Sequence, residues 1–409
     1  MKSVYCKECV YPYFGVNLSF QDGVCSACLA YKEFNKISEN DWKKREEKLI
    51  SLIEEHKKKN SSNYDCVIPV SGGKDSFFQT HYATKKLNLK PLLVTYNGNN
   101  FLPEGEYNRE LMRKTLDADH IIWGPSVEIL KKLNIVAFEV MGDMNWHNHC
   151  GIVTSPIILA AKFNIKYVLW GEVDTDIFGM FDPNDYVEFS HRIRREHSLR
   201  GYDTDFFLKG NFGKLNFNKK DLIWSVYPKD SEIIKSEIRG LFLGNYMKWD
   251  AESNVKFLKE NYGWKSYEKG FERTYRNFSN LDDRYENGIH DLMKFVKFGY
   301  GRASDHASKD IRAGRMTREE GVKMVLKYDH VVSSDLNYWL NYVDKTEDYF
   351  WETADKFRDP RIWSIENGKW YKIDIDNKKR FYGDVRLSKD EKNNFENKKL
   401  EIIKKYSKK

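Results

Sequence analysis

The chain has 409 residues, a net charge of +7, and 41% hydrophobic and 15% aromatic residues. That length holds two or three domains with sizeable cores, and aromatics spread along the whole chain exclude a disordered or fibrous polymer. The modest charge is compatible with anionic small molecules or nucleic acid and decides between neither. No stretch of eighteen apolar residues is present, and the opening Met1 to Cys6 lacks the apolar core of a signal peptide, so a cytoplasmic protein without a membrane span is expected. In that compartment six cysteines read as metal ligands or catalytic thiols before disulfides.

The first element is a pair of knuckles, Cys6-Lys-Glu-Cys9 and Cys25-Ser-Ala-Cys28, separated by fifteen residues. Four converging thiolates match a tetrahedral zinc, which would stabilise a segment too small for its own core; an iron–sulfur centre or redox thiols are the alternatives. Nothing here is basic enough to argue for a nucleic-acid-binding ribbon. Ser38 to Asp41 then has the form of a helix start, with Trp42, Leu49 and Ile53 near one face of a charged helix that runs to about Lys59. Asn60-Ser-Ser-Asn63 reads as a linker.

From Tyr64 the pattern alternates. Strands are expected at 65–70, 91–97, 120–123 and 166–172, and helices at 75–87, 107–116, 127–133 and 152–163. Alternation of this kind predicts an α/β domain with a parallel sheet covered by helices on both faces, and ligands beyond the carboxyl ends of the strands. Ser71-Gly72-Gly73-Lys74-Asp75-Ser76, Tyr96-Asn97 and Gly171-Glu172 all stand at such ends. Pro69 is tolerable in its strand only because it is one residue from the loop.

The Ser71–Ser76 loop carries the clearest chemistry. Adjacent glycines let backbone N–H groups approach an anion, and a helix start behind them adds a positive dipole end. The serine hydroxyls donate, Lys74 adds charge, and Asp75 can hold a magnesium ion. The Walker spacing is absent. The loop resembles instead the Ser-Gly-Gly-x-Asp-Ser signature of the PP-loop ATP pyrophosphatases, which cleave ATP between the α- and β-phosphates and adenylate a substrate oxygen. On that resemblance Ser71, Gly72, Gly73, Lys74, Asp75 and Ser76, with Tyr96, Asn97 and Gly171 at the other strand ends, would bind ATP. Lys74, Asp75 and Glu172 would be the catalytic groups, and Asp75 would hold Mg2+.

Glu172, Asp174 and Asp176 read either as a second magnesium contact or as a solvated loop. His191 to Arg195, with Arg200, is either a solvated charged face or a site for a substrate phosphate or carboxylate. The segment Gly301-Arg302-Ala-Ser-Asp305-His306-Ala-Ser-Lys309-Asp-Ile-Arg312 spaces its polar groups three to four apart, as on one helix face; it reads as an anionic-substrate surface, with an exposed charged helix as the alternative. Thr317-Arg-Glu-Glu320 has the form of a capping box. His147 and His149, two apart, do not share a helix face and read as packing or hydrogen-bonding groups rather than a metal pair.

The knuckles, the glycine loop and the 301–312 segment coincide in one family. Together they resemble the N-acetyl sugar amidotransferases of bacterial surface-glycan and flagellin glycosylation, which convert an acetamido group on an activated sugar into an acetamidino group. The resemblance implies ATP, Mg2+ and structural Zn2+ as cofactors, and an N-acetylated sugar as substrate, in O-antigen, lipopolysaccharide or nonulosonic acid biosynthesis. It also implies separate glutaminase and cyclase-like subunits as the ammonia source, since residue 2 is Lys and no glutaminase domain is evident. The polar face of the 301–312 segment, with Arg302, Asp305, His306, Lys309 and Arg312, is where substrate contacts are expected. The expected division is a zinc ribbon over 1–35, a helical linker over 36–63, the PP-loop ATP-binding domain over 64–240 and a mostly helical substrate or partner domain over 241–409. Two rivals stand beside this reading. One is a tRNA-thiolating enzyme with Cys150 as sulfur carrier, although no clearly basic RNA surface is present; the other is a zinc-ribbon binding protein with an inactive nucleotide fold.

Overall fold

In a computed structural model, residues 4–99, 101–172, 179, 181–284 and 286–406 are described. A five-stranded sheet lies at the centre, built from β3 (Cys66–Pro69), β4 (Pro91–Tyr96), β5 (Asp119–Trp123), β6 (Tyr167–Trp170) and β7 (Arg239–Phe242) in the order β5-β4-β3-β6-β7. Every pairing is parallel. The chain leaves β3 toward one edge and later returns to build the other, so the carboxyl end of β3 is the switch point of the sheet, where a ligand crevice opens.

Alternation along the strands explains the layers. Cys66 and Ile68 turn to one face, where they pack with Leu49, Ile53 and Phe77. Val67, Leu92 and Val94 turn to the other and meet Ile157, Leu159 and Ala160. The second face is covered by α6 (Trp146–Lys162), which begins six residues before the apolar run that marks it and continues through Pro156. The first face is covered by α2 (Glu39–Lys59) and α3 (Lys74–His81). Ser38 caps α2 by accepting from the Asp41 N–H at 3.1 Å, and Thr317 with Glu320 forms a capping box, both as their spacing predicts.

Two points of the expected division are corrected. The 36–63 segment is no linker, because Leu49 and Ile53 of α2 sit fully inside the core. A break at 240 would cut β7, the fifth strand of the sheet, so the α/β domain extends past it. The C-terminal region is helical through α8 (Asn287–Phe298), α9 (Arg302–Arg312), α10 (Arg318–Tyr328) and four further α-helices, and it also carries an antiparallel sheet of β8 (Trp363–Glu366), β9 (Lys369–Ile373) and β10 (Lys379–Asp384). Trp363 and Trp370 are buried on that sheet with Phe395 of the last helix. Among the described residues no helix is long and apolar enough to cross a membrane.

Close backbone approach sets the position of the glycine loop. Gly72 has φ +77°, and a Cβ there would stand 2.3 Å from the carbonyl oxygen of Gly105 in α4 (Pro103–Thr115). A Cβ on Gly105 would in turn stand 2.2 Å from the carbonyl oxygen of Leu281. Gly72→Ala is therefore expected to destabilise the fold by on the order of 2 kcal/mol, combining left-handed strain with an overfilled contact. Urea unfolding measures this, and an unchanged midpoint would contradict the packing.

Candidate active site

The glycine loop opens into a cavity of about 460 Å³. At its floor Ser76 Oγ accepts from the Ser71 N–H at 3.3 Å and donates to the Gly73 carbonyl at 3.1 Å, while Trp264 Nε1 donates to the Gly72 carbonyl at 3.0 Å. These bonds hold the turn so that Gly73 and Ser76 face the space. Lys74 Nζ lies 2.5 Å from Asp75 Oδ2, and the other Asp75 oxygen accepts from Trp249 Nε1 at 3.0 Å. Burial opposes the charges of both, and their mutual attraction outweighs it: Lys74, helped by Glu172, is held above its ordinary range and Asp75 below. Glu172 is ion-paired with Lys309. Asp75 and Glu172 thus bring carboxylate oxygens to one space, the kind of donor that Mg2+ takes. Asp174 and Asp176 lie outside the described residues.

Opposite the loop stands α9. Arg302, Asp305, His306 and Lys309 all face the cavity, as their spacing on one helix face predicts. Arg302 is bound to the buried Asp291 at 2.8 Å, Asp305 to Lys294 at 2.5 Å, and His306 Nδ1 to Thr274 Oγ1 at 2.6 Å. Arg312 does not reach the space. It lies where α9 ends, over the Tyr11 ring at 5.8 Å and toward the cysteine knuckles.

Two more expected ligand contacts fall elsewhere. The Tyr96 side chain is buried in a core cluster with Trp146 and Trp224 and bonds His147 through its hydroxyl at 3.1 Å, because strand alternation turns it away from the cavity. Gly171 is not on the cavity wall; a Cβ there would stand 2.7 Å from the Trp249 ring that holds Asp75. Asn97 follows β4 and accepts from the Asn99 N–H at 2.9 Å; it is not on the cavity wall. His147 and His149 diverge on α6 as expected: the first bonds the fully buried Glu286 at 2.9 Å, and the second faces the cavity.

Sequence reasoning missed one end of the cavity. Asp143, His149 of α6, Arg200, and His290, Lys294 and Lys297 of α8 meet there. Asp143 Oδ1 bonds His290 at 2.8 Å and Oδ2 bonds Arg200 at 3.0 Å. Of the basic run before it, Arg194 is wholly buried on Asp203, so Arg200 alone enters the cavity. The signal available was Arg200 itself, singled out with the basic run; nothing local ties it to residues 143 or 290. Burial pushes Lys297 down to about 8 despite Asp143, and pushes His149 down to about 3.

The four knuckle cysteines converge with their sulfurs within 4.8 Å of one another; Cys6 and Cys28 are 4.0 Å apart and Cys9 and Cys25 are 3.6 Å apart. A tetrahedral ion with metal–sulfur bonds of about 2.3 Å asks for about 3.8 Å between sulfurs, so the set fits one such ion. The knuckles are joined to the cavity wall. Tyr11 donates to Asp305 Oδ1 at 3.1 Å, the Val16 N–H donates to the Tyr300 hydroxyl at 3.1 Å, and Arg318 clamps the carbonyls of Cys9 and Cys6 at 3.1 and 3.2 Å.

Residues 272–375 match the family described as LPS biosynthesis protein WbpG-like, C-terminal domain. This part of the chain is similar to that domain. The matched segment supplies α8, α9 and more than half of the residues lining the cavity. A search of curated proteins finds no match. Among solved structures, the NMN synthetase from Francisella tularensis aligns at 11% identity and a TM-score of 0.33, over 73% of this chain and 93% of its own. The NH3-dependent NAD synthetase from Campylobacter jejuni aligns at 15% identity and a TM-score of 0.28, over 48% of this chain and 92% of its own. A predicted subunit of tRNA methyltransferase from Methanocaldococcus jannaschii aligns at 16% identity and a TM-score of 0.25, over 48% and 75%.

Two outcomes are expected. Elemental analysis should find one zinc per chain, and Cys9→Ser should lose it and lower the melting temperature; a metal-free, equally stable wild type would contradict the knuckle assignment. Lys297 is charged below about pH 8 and neutral above it. Affinity for an anionic ligand should therefore fall as pH rises through about 8, and Lys297→Arg should move that fall to higher pH. Titration calorimetry at several pH values reads both.

Proposed function

We propose that the chain is an ATP-dependent amidotransferase that converts the acetamido group of an N-acetylated sugar into an acetamidino group. The observation that carries this reading is the shared cavity, with the glycine loop on one side and the Arg302–Lys309 face of a WbpG-like segment on the other. The family description supports a role in bacterial surface polysaccharide synthesis.

An amide oxygen is a poor leaving group, and transfer of AMP to it solves the problem. The acetamido oxygen attacks the α-phosphorus of ATP and pyrophosphate departs. Ser71, Ser76 and the backbone N–H groups of Gly72 and Gly73 would cradle the pyrophosphate end, and Lys74 would stabilise the charge that develops there. Asp75 and Glu172 would hold Mg2+, which when bound neutralises phosphate charge. Ammonia then adds to the imidate carbon and AMP leaves. Positioning and electrostatics carry the catalysis, so no protein nucleophile is needed.

Ammonia would come from separate glutaminase and cyclase-like subunits, since no cysteine lines the cavity among the described residues. The thiolation reading is disfavoured by the place of Cys150. Its sulfur is fully buried against Thr154 and Arg194, and burial pushes the thiol up to about 11. A thiol so placed is neither ionised nor exposed to a substrate.

Incubation with ATP, ammonium and a panel of N-acetylated sugars, read by mass spectrometry, tests the proposal. Product should be lighter by about one mass unit, from exchange of O for NH, with AMP formed in step. Lys74→Ala should slow the reaction about 10²–10³-fold, and Cys150→Ser should not. ADP in place of AMP would contradict the mechanism.

A further inference from the structure

Five carboxylates face the cavity, those of Asp75, Asp143, Glu172, Asp282 and Asp305. Four are bound to basic side chains: Asp75 to Lys74, Glu172 to Lys309, Asp305 to Lys294, and Asp143 to the Arg200 guanidinium and to the His290 ring. Among the described residues of the wall, Asp282 is the carboxylate with no cation bonded to it.

Its position is fixed by the backbone. The preceding carbonyl, that of Leu281, accepts from the Leu102 N–H at 3.1 Å and presses on Gly105, whose own carbonyl presses on Gly72. Three main chains touch with no side chain between them, and the strap from Phe278 to Asp282 is carried onto the glycine loop. Phe278 on the same strap lies 5.8 Å from Lys74 Nζ, measured to the ring centroid.

A carboxylate locked to a fixed cation is a weak base, because the attraction favours its charged form. Asp282 escapes that. Burial raises its pKa, with its own backbone amide and Lys74 opposing. The histidines of the cavity are less suited. Burial pushes His149 down to about 3, and burial with Arg276 and Arg302 drives His306 well below its ordinary value. His290 is committed to Asp143 and sits at the Arg302 end of α9, where Arg302 meets Asp291. Seven residues of helix, about 10 Å, separate that end from Lys309 and its partner Glu172.

We propose that Asp282 is the general base that takes the proton released when ammonia bonds to the activated carbon, a role that rests on the amidotransferase reading above. The C–N bond forms from the nitrogen lone pair as the C=N π pair of the imidate moves onto the sugar nitrogen. An N–H proton passes to the Asp282 carboxylate while its electron pair stays on nitrogen. The pair on the sugar nitrogen then re-forms the C=N bond as the bond from carbon to the AMP oxygen breaks with its electrons on AMP, and the proton leaves Asp282 to water.

Two partial reactions test this. Sugar-dependent exchange of labelled pyrophosphate into ATP reads adenylation alone, and acetamidino product reads the whole sequence. Asp282→Asn should keep the exchange and lose ammonium-dependent product about 10²–10⁴-fold. Hydroxylamine, a nitrogen nucleophile largely unprotonated at neutral pH, should restore turnover. Asp282→Glu, which keeps the carboxylate, should retain more of the ammonium-dependent rate than Asp282→Asn. Wild-type protein that shows no exchange with any sugar would overturn the amidotransferase reading itself. Active wild type with an Asp282→Asn variant that loses the exchange too, or forms product at the wild-type rate, would overturn the Asp282 assignment alone. Equal losses in the Asn and Glu variants would overturn it as well.

Discussion

Main-chain contact at Gly72, Gly105 and Leu281 is the constraint on which the cavity depends. The loop after β3 can face a phosphate only if its backbone lies bare, and the same bareness lets α4 and the 278–282 strap close against it. A methyl group at either glycine would push these layers apart. Because the strap belongs to the C-terminal region, the contact joins the two halves of the molecule at the point where the proposed chemistry occurs.

The cysteine knuckles act on the same space from the other side. Tyr11 follows the first knuckle and bonds Asp305, Val16 bonds Tyr300, and Arg318 reaches back to the Cys6 and Cys9 carbonyls. A bound metal ion would stiffen this segment, and the hydrogen bonds would carry that stiffness to the face of α9. The module is therefore part of the cavity wall. Its four cysteines are buried together with Tyr300 of the C-terminal region.

How much of this was legible in the sequence follows from how local each feature is. Ser71 to Ser76 is one turn, and its chemistry can be read without knowing any distant contact. Arg302, Asp305, His306 and Lys309 lie on a single helix face, so spacing alone groups them. Arg312 continues the spacing but stands on the last residue of the helix, where the neighbour is Tyr11 and not the cavity. Tyr96 failed for a different reason: proximity to a strand end does not say which face a side chain takes. The Asp143, Arg200 and His290 set joins residues 57 and 147 positions apart, a pairing that only the fold creates. Asp282 carries no motif at all, and its interest comes from being unpaired among paired neighbours. The helix at 39–59 was mistaken for a linker because its surface is highly charged, while its apolar stripe is narrow and wholly buried.

The central claim is that the glycine loop activates the acetamido oxygen by transfer of AMP. It is tested most directly by supplying an N-acetylated sugar with 18O in the acetamido carbonyl, together with ATP and ammonium, and locating the label. The account predicts 18O in the phosphate of AMP and none in the sugar product. Label found in water or pyrophosphate, or retained in the converted sugar, would contradict it.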